Sequence, residues 1–383
     1  MKILFVYSSL VLEKVGNSYY HNFLNPIIKR YSFLGELTIC TSLKEVVRSN
    51  REKVDLSKVN YVRLNKENTI KSLVDKSYNN GIIRRLVPEC DLLIIHQPDG
   101  VGARAANYAR KIGKPYLTVV IGCVWDSLWN YDWRGKILAP ISFARMQKIV
   151  SRSNYAIYVT EKFLQNRYPT GAKQIPCSDV VVNEVNCSVI DKRRQKFLSF
   201  NKSSQINIIT LGGLDVPYKG QQLIVEAISR LNKNGWNYHY FVCGDGTGER
   251  LNSLAQKRGI MDCVHNIGLV SHDKVIELLN IMDIYAQPSY LEGLPRALVE
   301  AMSCGMPAIG SNVGGIPELL QEDVLFKKGS VSQIVKILSR LPKEWIPQIQ
   351  RNYTRSHDFG KDVLEKRRLL FLASIKNELE QKQ

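Results

Sequence analysis

The chain has 383 residues, of which 44% are hydrophobic and 23% charged. These values are typical of globular proteins, and the length is enough for two domains with full cores. No apolar run approaches the roughly 20 residues that a membrane-spanning helix needs, and the run Ile3–Tyr7 is too short for a signal peptide. The net charge of +18 is uneven, since residues 1–195 carry 30 basic and 16 acidic side chains whereas residues 196–383 carry 23 and 19. The basic first half is therefore expected to face an anionic partner.

Eight cysteines are scattered along the chain, without a C-x-x-C pair or a cluster with histidine. The sequence therefore indicates neither a zinc site nor a disulfide framework, and no metal or cofactor is expected. The cytoplasm is the expected compartment.

Apolar strand-like runs alternate with longer helical segments, which is the pattern of a doubly wound α/β fold. In the first half the predicted strands are Ile3–Tyr7, Leu37–Thr41, Tyr61–Leu64, Leu92–His96, Tyr116–Ile121 and Ala156–Val159. Helices are predicted at 18–30, 69–86 and 101–112. A tryptophan-rich segment, 125–133, continues into a basic amphipathic stretch, 134–152.

The polar segment Asp191–Ser204 has no apolar periodicity, and we place a domain boundary there, between residues 195 and 196. In the second half the predicted strands are Ile206–Leu211, Tyr238–Cys243, Val264–Ile267, Ile284–Gln287 and Ala308–Gly310. Helices are expected from about Gly220, at Glu249–Arg258 and near the C-terminus at 357–379. The chain is thus divided into domains at 1–195 and 196–355 and a terminal helical segment at 356–383.

The most informative stretch is 289–319, with the sequence SYLEGLPRALVEAMSCGMPAIGSNVGGIPEL. Glu292 precedes a Gly-Leu-Pro turn, and Pro295 suits the first turn of a helix because its missing N–H has no intrahelical partner there. The N-terminus of that helix should present free N–H groups and a partial positive charge to phosphate oxygens. Glu300 should lie about two turns inside the helix. One carboxylate near each end suits a ligand with hydroxyls at both ends and phosphates between them, such as a nucleotide sugar.

Four glycine-bearing turns follow predicted strands, where open α/β sheets bind ligands. Their central residues are Gly16-Asn17, Gly212-Gly213 with Lys219-Gly220 further on, Gly244-Asp245-Gly246, and Gly268 with Val270. Alone, the third turn suggests a dinucleotide fingerprint. However, its last glycine, Gly248, comes one position early and its strand lies in mid-chain.

The spacing Glu292-x7-Glu300, followed by the motifs AMSCGMP and GGIPE, resembles the donor-binding core of retaining GT-B glycosyltransferases of family 4. The resemblance is strong over roughly residues 206–325. It implies two Rossmann-like domains facing a central cleft, with the final helix crossing back to the first domain. It also implies transfer of a glycosyl group from a nucleoside diphosphate sugar with retained configuration and without a metal, in keeping with the lack of an Asp-x-Asp motif.

The resemblance also assigns roles to residues. Glu292 would hold hydroxyls of the transferred sugar, and Glu300 would bind the ribose hydroxyls. The diphosphate would be bound by Lys219 and by the turn residues Gly293, Leu294, Pro295 and Arg296. Gly213 occupies the position of an arginine in the family, and our hypothesis is that Arg296 supplies the missing positive charge.

The other glycine turns receive roles in the same way. Gly16 and Asn17 stand where family members usually have a Gly-Gly pair against the donor phosphate. Gly244 and Asp245 would lie near the nucleotide, and Val270 would contact the base through its backbone.

The acceptor side is expected in the first domain. Many family members have a histidine near the donor sugar after the strand that here ends at Ile121, but none is present. Asp126 is the nearest polar substitute for a catalytic role, with Asp99 as a second candidate. A helix N-cap is the alternative interpretation of Asp126. Three tryptophans surround it, and such side chains stack on sugars or lie at membrane interfaces.

The expected function is glycosyl transfer from a UDP-sugar, favoured over a GDP-sugar, to a saccharide or lipid-linked saccharide in bacterial surface polysaccharide synthesis. The enzyme would be cytoplasmic and peripheral at the inner face of the plasma membrane, with an anionic membrane surface as a partner. The alternatives are a nucleotide-sugar epimerase, a phosphorylase of the same architecture, or a basic nucleic-acid-binding protein. No RNA-binding signature occurs, so a nucleic acid is not an expected partner.

Overall fold

The computed structural model of the protein describes residues 1–65, 76–130, 132–180, 182 and 187–382. The chain forms two compact units. Unit 1 comprises Met1–Leu128, Trp133–Cys177 and Lys366–Gln383, and unit 2 comprises Trp129–Asp132 and Ser178–Glu365.

Unit 1 is built on a sheet that contains nine strands among the described residues. The strands are β1 (Lys2–Val15), β2 (Ser18–Tyr20), β3 (Glu36–Glu45), β4 (Lys53–Val54), β5 (Asn60–Leu64), β6 (Leu92–Gln97), β7 (Tyr116–Val120), β8 (Tyr155–Tyr158) and β9 (Lys173–Pro176). Seven of them form a parallel sheet in the order β5-β3-β1-β6-β7-β8-β9, and β2 and β4 add an antiparallel extension to the end of β1. The central strands are buried on both faces, so their sequences are continuous apolar runs.

The helices of unit 1 connect these strands. They are α1 (Leu24–Ser32), α2 (Ser77–Leu86), α3 (Gly100–Lys111), α4 (Val124–Trp129), α5 (Trp133–Val150) and α6 (Phe163–Arg167). The predicted helix 69–86 lies partly outside the described residues, and the predicted helix 18–30 is correct only from Leu24 onward because Ser18–Tyr20 forms β2.

Unit 2 contains a fully parallel sheet of six described strands in the order β12-β11-β10-β13-β14-β15. These strands are β10 (Gln205–Leu211), β11 (Asn237–Cys243), β12 (Val264–Gly268), β13 (Ile284–Gln287), β14 (Ala308–Ser311) and β15 (Leu325–Phe326). The order 3-2-1-4-5-6 is that of a Rossmann fold, in which the strand order reverses between the first and fourth strands. Here that point lies between β10 and β13.

The helices of unit 2 are α7 (Cys187–Ser199), α8 (Gln221–Lys233), α9 (Glu249–Arg258), α10 (His272–Ile281), α11 (Arg296–Ser303), α12 (Ile316–Leu319), α13 (Val331–Leu338) and α14 (Ile346–Ser356). Short 3-10 helices lie at Pro217–Lys219, Met261–Cys263, Glu322–Val324, Pro342–Trp345 and His357–Phe359. A final helix, α15 (Lys361–Glu380), begins in unit 2 and belongs to unit 1 from Lys366 onward. In unit 1 its Arg367 donates a hydrogen bond of 3.2 Å to the carbonyl of Pro176.

The expected boundary between residues 195 and 196 falls inside α7 rather than between the compact units, which separate after Cys177. The polar segment was interpreted as a linker because it lacks apolar periodicity. Its first part forms the end of helix α7, which is anchored in unit 2 because the buried Arg193 donates to the carbonyls of Cys304 and Met282 at 3.1 and 2.5 Å. Burial lowers the pKa of Arg193 to about 10, and its guanidinium stays satisfied by these carbonyls.

Candidate active site

The candidate site lies at the carboxyl ends of β10 and β13, where the strand order of unit 2 reverses. Open α/β sheets bind ligands at such a position because the loops after the two strands diverge and leave a crevice. The loop after β10 leads to Lys219, and the loop after β13 leads to Glu292 and α11. The fold thus brings together two residues that are 73 positions apart.

The loop after β13 is held on one side by the turn before α8. Gly220 has φ +71°, and a Cβ there would stand 2.0 Å from the carbonyl oxygen of Pro288. The Tyr290 N–H donates to the carbonyl of Tyr218 at 2.7 Å. Only glycine permits this approach of two backbones, which explains the Lys-Gly pair at 219–220.

On its other side the same loop rests on the Gly-Gly turn before α12. Gly314 has φ +58°, and a Cβ there would stand 2.1 Å from the carbonyl oxygen of Glu292. The Gly315 N–H donates to the carbonyl of Gly293 at 2.7 Å. The loop that carries Glu292 is therefore positioned by two glycine turns from different parts of the sequence.

The Glu292 carboxylate accepts three hydrogen bonds on one oxygen. Its Oε1 lies 2.8 Å from Lys219 Nζ, 2.9 Å from Gln287 Nε2 and 2.7 Å from Ser289 Oγ. Among the described residues nothing donates to Oε2. Because the Glu292 side chain is 12% exposed and that of Lys219 is 23% exposed, the second oxygen and two of the three ammonium protons remain available to a ligand.

A buried polar chain supports Glu292. Tyr285 Oη donates to Gln287 Oε1 at 2.8 Å, and Gln287 Nε2 donates to Ser289 Oγ at 2.8 Å. All three side chains are buried, and Ser311 Oγ donates to the carbonyl of Ser289. Our prediction from the sequence missed these residues, although polar residues at the end of an apolar strand just before Glu292 were a signal that could have identified them.

Helix α11 begins at Arg296, with Pro295 as its N-cap in an extended conformation. The sequence prediction placed Pro295 inside the first turn, so it was wrong by one residue. Pro295 carries no side-chain acceptor, so it does not cap the first-turn N–H groups. Gly293 and Leu294 complete the half-buried turn in front of this helix end.

Glu300 follows Arg296 by about one helical turn, rather than the two turns expected. Burial raises the pKa of its carboxyl, and the positive charges of His272 and Arg296 oppose this shift. No hydrogen bond reaches the Glu300 carboxylate from the described residues. A partly buried carboxylate without a donor is costly unless a ligand supplies one.

The two glycines of the loop after β10 lie against other side chains of the same loop. A Cβ on Gly212 would stand 3.5 Å from Lys219 Cδ, and a Cβ on Gly213 would stand 2.9 Å from Val216 Cγ2. Gly213 therefore leaves no cation at the position of the family arginine. Arg296 lies exposed at the start of α11.

The Gly244-Asp245-Gly246 turn packs on the same loop. A Cβ on Gly244 would stand 2.3 Å from the carbonyl oxygen of Gly212, and the Asp245 carbonyl accepts from Leu214 N–H at 2.7 Å. The side chain of Asp245 is exposed. The turn thus positions the β10 loop through its backbone.

The N-terminus of α9, which follows this turn, is already occupied. The Asp215 carboxylate accepts from Thr247 N–H at 2.7 Å and from Gly248 N–H at 3.1 Å. The hydrogen bond from Thr247 lowers the pKa of Asp215. A carboxylate of the chain itself thus takes the place at this helix end that a phosphate takes in a dinucleotide-binding fold.

Val270 is half-buried after β12, and its backbone N–H lies against the thiol of Cys243 at the end of β11. Burial raises the pKa of that thiol. The structure thus places Val270 at the carboxyl edge of the unit 2 sheet.

Gly16 and Asn17 do not form a phosphate loop at the edge of the unit 1 sheet. β1 continues to Val15, and the two residues form the turn of a hairpin in which Val15 pairs with Ser18. The carboxyl end of the neighbouring β6 is level with Ser8, because Val6 pairs with Ile95. The hairpin turn therefore lies about 20 Å further along the strand. The strand end expected at Tyr7 was wrong, because the register shift between Tyr7 and Val11 and the pairing with β3 extend β1 beyond its apolar run. A donor contact by Gly16 and Asn17 stays a prediction.

The two acceptor-side candidates have different surroundings. Asp126 lies in the first turn of α4 with its Oδ1 3.5 Å from Arg167 Nη2, and its side chain is 23% exposed. Asp99 is buried, caps α3 by accepting from Gly102 N–H at 2.7 Å, and accepts from the Ser8 hydroxyl at 2.6 Å. Asp99 is thus used by the fold itself.

The described residues offer neither a metal cluster nor a membrane-spanning helix. No group of three or more His, Cys, Asp or Glu side chains among them could hold a metal ion. Within the same part of the chain, no helix combines the length and apolar character needed to cross a membrane.

Two Rossmann-like units with parallel sheets define the GT-B class of glycosyltransferase, and the fold predicted from the sequence is confirmed. Residues 191–356 match the family Glycosyl transferases group 1. Protein CapJ of Staphylococcus aureus is 30% identical over 355 residues, which are 89% of this chain and 86% of that protein. The chain belongs to the glycosyl transferases group 1 family and is a glycosyltransferase.

Other relatives and solved structures agree with this assignment. The amylovoran biosynthesis glycosyltransferase AmsK of Erwinia amylovora is 32% identical over 133 residues, 32% of this chain and 33% of that protein. Sucrose-phosphate synthase of Thermosynechococcus elongatus has the same fold, with a TM-score of 0.69, 14% identity and full coverage of both chains. HepE of Anabaena in complex with UDP-glucose superposes with a TM-score of 0.65 and 16% identity, over 98% of this chain and all of that one.

Proposed function

We propose that the protein transfers a glycosyl group from a nucleoside diphosphate sugar to a saccharide acceptor, with retention of the anomeric configuration, as expected for family 4. One observation carries this proposal. Glu292 Oε2 and the Glu300 carboxylate accept no hydrogen bond from the described residues, and they lie on either side of the first turn of α11. Two open acceptors around a helix N-terminus fit a ligand with hydroxyls at its ends and phosphates in the middle.

Each donor-binding residue has a part in this proposal. Glu292 Oε2 accepts from hydroxyls of the transferred sugar, and Glu300 accepts from the ribose hydroxyls. Lys219, already fixed by Glu292, donates its remaining protons to the diphosphate. Negative charge that develops on the leaving diphosphate is then stabilised by this ammonium and by the N-terminal N–H groups of α11, without a metal.

Arg296 is the proposed second cation of the diphosphate site. It takes the place of the arginine that the family has at Gly213, because it stands exposed at the N-terminus of α11. Arg296→Ala should lower turnover on the scale of a charge-assisted contact, about tenfold or more. Unchanged turnover in Arg296→Ala, together with loss of turnover in Lys219→Ala, would exclude this role.

UDP is the proposed nucleotide, since the HepE structure with UDP-glucose has the same fold. We place the donor site in unit 2 and the acceptor side in unit 1, where Asp126 is the candidate for acceptor contact. The proposed pathway is bacterial surface polysaccharide synthesis, supported by the likeness to AmsK and to the putative colanic acid biosynthesis glycosyltransferase WcaL of Escherichia coli, which is 30% identical over 166 residues. A lipid-linked saccharide at the inner face of an anionic membrane is the proposed acceptor.

A thermal-shift panel of UDP-, GDP- and ADP-sugars tests the donor. A ligand at a hundred times its dissociation constant stabilises the fold by about 2.7 kcal/mol. We expect a UDP-sugar to raise the melting temperature of the wild type and to have a much smaller effect on Glu300→Gln. No shift with any of these sugars would contradict the proposal.

Transfer and stereochemistry are tested with the sugar identified in that panel. The anomeric configuration of the product, measured by NMR coupling constants, should match that of the donor. An inverted product would exclude retention. Release of free sugar or of an epimerised donor without any acceptor would favour an epimerase instead.

A further inference from the structure

Helix α5 exposes large apolar side chains on its N-terminal half. Within nine residues, four such side chains are half or more exposed: Trp133 (67%), Ile137 (63%), Leu138 (52%) and Ile141 (50%). The described residues show eighteen exposed large apolar side chains in total, so more than a fifth of them fall on this short segment. Such a concentration marks an interaction surface rather than the scattered exposure of ordinary surfaces.

These side chains are not the core face of the helix. The buried positions of α5 are Gly135, Ala139, Met146, Ile149 and Val150. At about 100° per residue, the buried positions fall within one arc of about 100°. Trp133, Ile137 and Ile141 lie roughly opposite this arc, and Leu138 lies at its edge. The helix is therefore apolar on two sides, and a helix of this kind is covered on both.

The charge of this segment indicates what covers the outer side. Residues 133–160 contain five basic residues and no acidic one. Arg134, Arg145 and Lys148 are exposed and fall on the same side of the helix as the four apolar side chains. The Arg134 guanidinium lies 5.5 Å from the centre of the Trp133 ring. The outer face thus combines branched aliphatic side chains, one tryptophan and cations.

We infer that this outer face of α5 docks on an anionic lipid surface. The inference deepens the proposed function and rests on it in one respect, since the membrane is where a lipid-linked acceptor would be found. Aliphatic side chains enter the boundary between headgroups and acyl chains, tryptophan lies at the headgroup level, and cations meet the lipid phosphates. A second copy of the chain is a poorer occupant, because two such faces would bring like charges together.

The tryptophans of the segment 125–133 have different surroundings. Trp125 of α4 packs against Phe143 of α5 with ring centres 5.7 Å apart and planes at 80°. It is therefore part of the packing between these two helices, whereas Trp129 of α4 is 42% exposed and Trp133 of α5 is 67% exposed.

Flotation of the full-length protein with lipid vesicles tests the inference. We expect the wild type to float at low salt with vesicles of phosphatidylcholine and phosphatidylglycerol, and to float much less with phosphatidylcholine alone. The double variant Ile137→Ser/Ile141→Ser should bind the anionic vesicles at least about tenfold more weakly. Arg145→Gln and Lys148→Gln should each weaken binding about fivefold, and added salt should reduce that difference.

A matched control is available in unit 1. Leu369 and Leu370 of α15 are exposed by 40% and 64%, and Leu369→Ser/Leu370→Ser removes similar apolar area elsewhere. This variant should float like the wild type. Failure of the wild type to float with anionic vesicles, or equal loss in the control and in the α5 variant, would overturn the inference. Self-association of the wild type in sedimentation that disappears in Ile137→Ser/Ile141→Ser would overturn it in favour of a second copy.

The donor assay separates this inference from the proposed function. The α5 double variant should keep the thermal shift with the donor sugar, because its substitutions lie in unit 1. Flotation without any donor shift in the wild type would retain the docking face and reject the proposed transfer. A thermal shift with the donor but no flotation would reject the docking face and retain the proposed transfer.

Discussion

In both units a carboxylate follows a parallel strand at the point where the strand order reverses. The two carboxylates differ in their hydrogen bonds. In unit 1 Asp99 follows β6, beside the register shift within β1. Its Oδ1 accepts from Ser8 and Ser9, and its Oδ2 accepts from the Gly102 N–H. In unit 2 Glu292 follows β13, next to the end of β10, and from the described residues only its Oε1 accepts hydrogen bonds.

The difference separates a structural carboxylate from a proposed binding one. Asp99 ties Ser8 and Ser9, at the register shift within β1, to the start of α3, so both of its oxygens contribute to the fold. Glu292 is held by three donors on one oxygen, and in the proposed function its other oxygen accepts from the ligand. Residue type and sheet position are alike in the two cases, and the pattern of hydrogen bonds decides the role.

Substitution of Glu292 should have the largest effect on transfer. Glu292→Gln keeps the shape but replaces one carboxylate oxygen by an amide nitrogen that cannot accept from Lys219 or a sugar hydroxyl. We expect transfer to fall about 100- to 1,000-fold, comparable to the loss of one preorganised polar contact at a reacting centre. The measurement is kcat with the identified donor and acceptor, alongside the melting temperature, and transfer at the wild-type rate would contradict the role of Glu292.

Substitution of Asp99 should lower stability and leave donor binding unchanged. Asp99→Asn directs an amide N–H₂ at a backbone N–H or at the serine donors, so at least one buried hydrogen bond is lost. We expect the free energy of unfolding to fall by about 3 kcal/mol, while the folded fraction keeps its donor affinity. Urea unfolding and donor titration measure the two quantities. Loss of donor affinity with unchanged stability would reverse the comparison between the two carboxylates.

Much of unit 2 can be predicted from sequence because its signals are local. The strand Ile284–Gln287 and the helix Glu249–Arg258 have the predicted bounds, since each is an apolar or periodic run closed by turn residues. The carboxylates at 292 and 300 were identified by their spacing and by the small-residue motifs that follow.

The parts that the sequence did not reveal depend on contacts distant along the chain. Gly16 and Asn17 looked like a loop because the apolar run stops at Tyr7, but β1 is extended by pairing with β3 and β2. Helix α7 looked like a linker because it is anchored by polar contacts with residues about 85 to 110 positions away, chiefly those of the buried Arg193 with the carbonyls of Leu279 and Cys304. Local patterns contain no information about such pairs.

Two glycines in left-handed turns, one in each unit, allow the same comparison for the backbone. Gly314 and Gly16 have nearly the same φ, +58° and +55°, but a Cβ on Gly314 would stand 2.1 Å from the Glu292 carbonyl whereas one on Gly16 would meet nothing within 4 Å. Both alanine variants should lose about 1 kcal/mol of stability from the left-handed backbone. Gly314→Ala should lose about 2 kcal/mol more and lower transfer, because the Glu292 loop must move.

Chemical unfolding and transfer assays on both variants measure this difference. Gly16→Ala is the matched control, since it carries the same backbone strain in the hairpin of unit 1. Equal stability and equal transfer in the two variants would show that the Gly-Gly turn does not position Glu292. Reduced transfer in Gly16→Ala would instead return the hairpin turn to the list of donor-binding candidates.

The smallest expected effect is the pH dependence of stability and donor affinity that results from Glu300. Burial raises the pKa of Glu300 above the ordinary value of roughly 4.3 for a glutamate, so between these two values the folded state binds more protons than the unfolded state. The contribution of Glu300 to stability therefore falls as pH rises through this window and is constant above the raised pKa. Glu300→Gln should relieve this cost and raise the ligand-free free energy of unfolding at pH 7 by at most about 1 kcal/mol, with a small rise in melting temperature, while it weakens donor binding. The wild type should in turn lose donor affinity as pH falls through the raised pKa, because the protonated carboxyl accepts fewer hydrogen bonds.

A melting temperature of Glu300→Gln below that of the wild type at pH 7 would mean that the carboxylate has a partner in the folded protein. Glu300 would then resemble Asp99 rather than Glu292.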